Sequence, residues 1–350
     1  MKLWVVAMLG LCAACGDGRT ATPPQDAPAI DAELVDVGPD ANPLASLDGT
    51  GLCADAACTQ INSTALEYEP RFALWSDGAT KRRWIELPAG TKIDTTDMNR
   101  WVFPVGTKLW KEFTRDGIRV ETRFITKLLA DDDAPGAWFF VAYAWNATQD
   151  AAVAVSTGQQ NVNGTTHDIP SRANCKECHD SLRPSRVLGF QAIQLDAAAP
   201  SGKLDLDDLI AMNLLTAAPA GAASPHFALP GTAVEQAALG YMHGNCGHCH
   251  NATSPVHDTT PIETLLDTTK LATVATTPSF VSMVDQTAAV PFNDENGVLR
   301  DKIIISGDPD NSGLIVRMNT SIGIRHMPKL GSEVVDPDGQ TALRAWITGL

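Results

Sequence analysis

Basic residues are scarce in this chain. It has 26 Lys and Arg against 41 Asp and Glu in 350 residues, a formal net charge of −15. That balance argues against nucleic acid as a partner and against adsorption to an anionic membrane surface. The opening apolar run, Leu3 to Ala14, falls short of the ~20 residues a membrane-spanning helix needs. Between about 60 and 165 there are no paired carboxylates, no Ser-His-Asp order and no phosphate loop at a usable spacing. Glycosidase, triad-hydrolase and nucleotide-binding readings therefore have nothing to stand on there.

The short apolar run after Lys2 fits the core of a signal peptide. It ends in "LCAAC", where two alanines before Cys15 match a lipobox, with Cys12 at the usual leucine position. Residues 1–15 are expected to be a signal peptide and Cys15 the lipidated N-terminus of the exported protein. The alternative is an ordinary signal peptide cut nearby. Both place the protein in the periplasm or at the cell surface. Residues 16–51 are rich in Pro, Ala and Asp and lack any aromatic residue. Such a segment cannot bury enough apolar surface to order itself, so it reads as an acidic tether.

Eight cysteines are present. Two lie in the export signal. Cys53 and Cys58, with no histidine beside them in an oxidising compartment, read as a small local disulfide. Residues 52–167 read as a β-rich domain. "RWIELP", "WVFPVGTKLWKEF", "IRVETRFITKLL" and "AWFFVAYAW" are aromatic and branched runs separated by turn residues. Leu109, Lys111 and Phe113 alternate with Lys108, Trp110 and Glu112, and Val120, Thr122 and Phe124 oppose Glu121 and Arg123. This is the period of half-buried antiparallel strands. Six of the eight tryptophans fall between Trp75 and Trp145, and core packing explains them better than a carbohydrate platform. From about 168 alanine and leucine rise. Helices are expected over Leu204 to Leu215, after a Thr232/Glu235 capping box, and at the C-terminus, where Leu343, Trp346, Ile347 and Leu350 share one face. The expected fold class is α+β: a β-rich N-terminal domain, then mainly α-helical haem domains over 168–230 and 231–350.

The remaining four cysteines form two Cys-x-x-Cys-His blocks, "NCKECHD" and "GNCGHCHN". A thioredoxin-like dithiol does not need the histidine and follows a strand. Zinc wants four ligands close together, and these pairs are about 70 residues apart. Attachment of a c-type haem accounts for the whole pattern: each cysteine forms a thioether with a haem vinyl, and the next residue is held under the iron. Two haems are thus expected, one on Cys175 and Cys178 with His179 as iron ligand, the other on Cys246 and Cys249 with His250.

Across the second iron the expected ligand is Met327, in "HMPKLGS", ahead of Met318 and His326. A thioether raises the potential of a His-ligated haem, and the following proline stiffens the loop. For the first iron the candidates are Met212, His167, His226, Met242 and His243, or no protein ligand at all. An open position would permit ligand binding or peroxide chemistry. His248 reads as a haem-edge residue and His257 as surface. No residue is assigned a catalytic role.

"LWSDGATKRRWIELPAGTKID", "WVFPVGTKLWKEF", "ETRF", "IPSRANCKECH", "NCGHCH" and "HMPKLGS" together resemble a family of bacterial exported diheme c-type cytochromes with a β-rich N-terminal region. The order of helix, haem block, methionine loop and terminal helix resembles class I cytochrome c. The resemblance covers roughly residues 60 to 350. It implies haem binding and electron transfer between transient redox partners. A haem enzyme with a five-coordinate first iron is the competing expectation.

Overall fold

The computed structural model describes residues 44–179, 186–221 and 224–350. The expected signal peptide, its Cys15 and the tether up to residue 43 lie outside the described residues. Among the described residues no helix is long and apolar enough to cross a membrane.

The core is a six-stranded antiparallel meander, ordered as in the sequence: β1 (Leu66–Glu67), β2 (Thr80–Glu86), β3 (Lys108–Arg115), β4 (Ile118–Lys127), β5 (Trp138–Trp145) and β6 (Ala152–Val155). An Asp116-Gly117 pair at positive φ joins β3 to β4, the turn chemistry that matches strand twist in a two-residue hairpin. One face pairs Trp84 with Trp110 and Trp110 with Phe124. That face is closed by Leu47, Leu52, Tyr143 and Trp145. Five of the six clustered tryptophans are buried, at 1–3% exposure, so they are core residues.

Residues 44–51, counted with the tether in sequence, belong to this core. The Tyr143 hydroxyl donates to the Leu44 carbonyl at 3.0 Å. Trp110 Nε1 donates to Thr50 Oγ1 at 2.9 Å. Leu47 and Leu52 supply the apolar anchors, and a disulfide joins Cys53 to Cys58.

The expectation of mainly helical haem domains is wrong. Among the described residues there are seven helices, four of them seven residues or longer: α1 (Arg172–His179), α2 (Ala192–Leu195), α3 (Leu206–Ala211), α4 (Ala233–Asn245), α5 (Pro278–Met283), α6 (Gly313–Asn319) and α7 (Pro337–Thr348). The rise in alanine and leucine is real, but stop signals cut the segments short. The helix expected from Leu204 to Leu215 starts at an Asp205/Asp208 capping box. It ends where Asn213 turns left-handed and the Leu214 N–H returns to the Leu209 carbonyl, a Schellman-type close. A hairpin, β7 (Thr287–Asn293) and β8 (Leu299–Lys302), interrupts the C-terminal part.

Two apolar clusters organise the rest. One joins Ile85, Leu109 and Phe140, on the second face of the sheet, to Leu195, Leu206 and Leu209. The other packs α4 on α7 through Leu239, Met242, Leu343 and Trp346. The Thr232/Glu235 capping box starts α4. Gly240 and Gly244 then let the 72–75 segment cross the helix closely. A Cβ at Gly240 would lie 2.1 Å from the Phe72 ring, and one at Gly244 2.7 Å from the Phe72 carbonyl. At the end of that crossing Trp75 N donates to Asn245 Oδ1 at 2.7 Å, immediately before the second block.

Candidate functional site

Helix α1 carries the first block. Ser171 and Asn174 exchange hydrogen bonds at its start, with Ser171 Oγ donating to Asn174 Oδ1 at 2.7 Å. The helix lies over β5, with the His179 ring 5.4 Å from that of Phe140. His179 Nδ1 donates to the Arg186 carbonyl at 2.6 Å. This bond fixes the ring and leaves Nε2 with its lone pair, as a metal-binding imidazole requires. Burial pushes the His179 pKa down, which keeps the ring neutral.

The second block begins as α4 ends. Its turn closes by Cys249 N donating to Cys246 O at 3.1 Å and His250 N to the same oxygen at 2.9 Å. Asn251 Nδ2 pins it by donating to Gly247 O at 2.9 Å. His250 Nδ1 is buried without a hydrogen-bond partner among the described residues. Burial, with His248 and Arg317 nearby, lowers its pKa to about 4.

Far apart in sequence, the two blocks meet in space. Cys178 Sγ, Cys249 Sγ and a His248 ring nitrogen lie within 4.8 Å of one another. As free thiols, Cys178 and Cys249 are hydrogen-bonded, which lowers the pKa of the first and raises that of the second. The distance argument against a shared metal therefore fails, because the fold removes the separation. It also gives His248 a place between the blocks. His257 pairs with Glu263 at 3.3 Å and is 29% exposed.

Both blocks and Met327 line one cavity of about 1540 Å³. This exceeds the ~300–1,000 Å³ of ordinary single-ligand pockets. Met327 sits in the loop after α6, with its backbone N–H on the Arg317 carbonyl at 3.0 Å. Its rivals Met318 and His326 line the same cavity but have other contacts. His326 bonds Thr320 O through Nδ1 at 3.0 Å and Ser332 O through Nε2 at 2.8 Å. Met318 is 6% exposed in the α4–α7 core.

Of the five candidates for the first iron, only His167 lines the cavity. Met212 is a 47% exposed surface residue. Met242 is fully buried core. His226 bonds Asp207 at 3.0 Å. His243 Nδ1 accepts from Leu266 N at 3.0 Å. His167 Nε2 contacts Glu121 Oε2 at 2.9 Å. Glu121 in turn accepts two bonds from Arg123, at 2.6 and 3.0 Å.

Comparison with known protein families, curated proteins and solved structures finds no match to this chain. The site is therefore read from its own chemistry.

Sequence reasoning missed Lys111, Glu121 and Arg123 as part of the site. In the sequence Glu121 and Arg123 read as the polar side of a half-buried strand, and Lys111 shares its face with Leu109 and Phe113. In the fold Lys111 and Arg123 line the cavity, and Glu121, bonded to Arg123, is 0% exposed. Burial, then the neighbouring Arg83 and Arg123 charges, hold the Lys111 pKa well below its ordinary value.

His243 makes the protein acid-sensitive away from the cavity. Burial lowers its pKa to about 4 from 6.5. The unfolded chain therefore takes up a proton below about pH 6.5 that the folded chain refuses until about pH 4. The stability lost across that window is roughly 3 kcal/mol. Denaturant midpoints between pH 7 and 4 should fall less steeply in His243→Gln than in the wild type. Parallel curves would remove His243 from the acid response.

Proposed function

We propose that this protein is an exported diheme c-type cytochrome that passes electrons between redox partners. The observation that carries the reading is the single large cavity into which both Cys-x-x-Cys-His blocks open, with Cys178 beside Cys249. The donor set suits two c-type haems. Each block offers two thiols for thioether bonds and an adjacent imidazole for iron. His179 is already oriented through Nδ1. Bound haem would supply one-electron chemistry at potentials set by axial ligand, burial and hydrogen bonding.

A single metal ion on Cys178, His248 and Cys249 would use three of these residues. It would leave His179, His250, Met327 and most of the cavity volume without a purpose. The diheme reading uses them all, and adjacent attachment points suit transfer between two centres.

Met327 is proposed as the distal ligand of the second haem and His167 as the residue across from the first. Met327→Ala should lower the potential of one haem and open it to carbon monoxide, while the other keeps its spectrum. A redox titration with ligand-binding spectra reads both. An unchanged spectrum and potential would exclude Met327.

The second reading is a haem enzyme, and the observation favouring it is the Glu121–His167 contact at 2.9 Å on the cavity wall. A carboxylate-bound histidine beside an open iron position would serve proton transfer as well as ligation. Two low-spin haems inert to peroxide fit the carrier, and a high-spin haem that reacts with it fits the enzyme. Export and a lipid anchor at Cys15 belong to the same proposal.

A further inference from the structure

The cavity face of the sheet carries a charge arrangement that the blocks do not use. The register sets Arg83 opposite Lys111 and Lys111 opposite Arg123, on β2, β3 and β4. Three cations thus stand side by side on one face, and like charges directly opposed across strands destabilise a sheet. The next row on the same face is apolar: Ile85, Leu109 and Ile125.

Glu121 offsets only part of this charge. Its carboxylate is taken by Arg123 and His167. Arg83 is 5% exposed, with the Glu69 carboxylate within electrostatic reach; Lys111 is half-buried, and among the described residues no carboxylate forms a close ion pair with either. Lys111 Nζ stands 5.0 Å from the centroid of the Phe113 ring. Gathering such charges on a largely dry face is costly, most of all for the buried Arg83. Lys111 and Arg123 line the cavity, and Arg123 is within electrostatic reach of Cys175 and Cys178. The missing counter-charge therefore has room to come from within the cavity.

We propose that Lys111 and Arg123, with the buried Arg83 charge behind them in the same row, bind a carboxylate-bearing group inside the cavity, beside the first block. The carboxylates are those of the haem itself, in which case the inference rests on the diheme reading, or those of a free small dicarboxylate, in which case it does not. Guanidinium and ammonium suit either source, through charge-assisted hydrogen bonds.

The test uses the full-length protein with whatever prosthetic group it holds. Lys111→Met removes the charge at similar volume, Lys111→Arg keeps it, and Arg83→Met is a second, independent variant. One arm titrates succinate at constant ionic strength and follows the thermal midpoint. The other records infrared bands of carboxylate-labelled haem. Saturable stabilisation by succinate, weakened about 10-fold or more in Lys111→Met and retained in Lys111→Arg, identifies a free anion. Haem carboxylate bands that move in both Met variants and return in Lys111→Arg, without a succinate effect, identify the cofactor. If neither signal responds to either Met variant, the proposal is overturned. If the protein holds no haem, the diheme reading fails and the succinate arm alone decides, with no saturable effect overturning the proposal.

Discussion

Replacing Cys246 and Cys249 together by serine should halve the covalently held haem. Serine cannot form the thioether, so the second haem would rest on His250 and Met327 alone and be lost on denaturation. The first block should keep its haem, because its own two thiols and the His179–Arg186 bond at 2.6 Å are untouched by the substitution. Haem-stained denaturing gels and intact mass should show one haem per chain instead of two. The spectrum of the surviving haem should lack the methionine-ligated signature that Met327 would give the second haem. The mirror variant, Cys175→Ser with Cys178→Ser, should keep that signature and lose the other. If each double variant retained two haems, or if neither the variants nor the wild type carried any, the assignment of the blocks would fall.

Glu121→Ala should cost about 3–5 kcal/mol of folding stability. Glu121 has no solvent exposure and takes bonds from Arg123 and His167. Truncating it strands the half-buried Arg123 guanidinium and the buried His167 ring and removes the carboxylate from the Arg123 end of the cation row. The loss would be a large share of the ~5–15 kcal/mol that folded proteins possess. Glu121→Gln, which keeps shape and acceptor but not charge, should cost less. The pH dependence has a definite sign. Burial opposes the charge of Glu121, but Arg123 and the hydrogen bonds outweigh it and hold the carboxyl below its ordinary 4.5. Its contribution is therefore complete above that value and fades as pH falls through the lower folded one. Equilibrium denaturation should show the acid loss flattened in the Ala variant. A Glu121→Ala midpoint equal to that of the wild type would mean that the network carries no stability.

Local features were legible in the sequence because local physics sets them. The Thr232/Glu235 capping box, the alternation in β3 and β4, the apolar face of α7 and the Cys53–Cys58 pair each depend on residues within a few positions. What the sequence could not display were contacts between distant segments. Nothing near Cys178 announces Cys249. Glu121 and His167 are 46 residues apart, and the cation row exists only once three strands are in register. The helical expectation failed for a related reason. Alanine and leucine raise helix propensity, but Asn213 and the frequent prolines decide length, and β7 hides its strand character behind Pro291. The polar face of the sheet misled in the opposite sense. Alternation shows that one face differs from the other, not whether the polar side meets water or a cavity.

The most direct measurement is the intact mass and metal content of the wild-type protein, purified from a host that matures c-type cytochromes. The expected result is a mass excess of two haems that survives denaturation, with two irons and no zinc per chain. A chain with no covalently retained haem, its thiols free or holding one zinc at Cys178, His248 and Cys249, would contradict the diheme account.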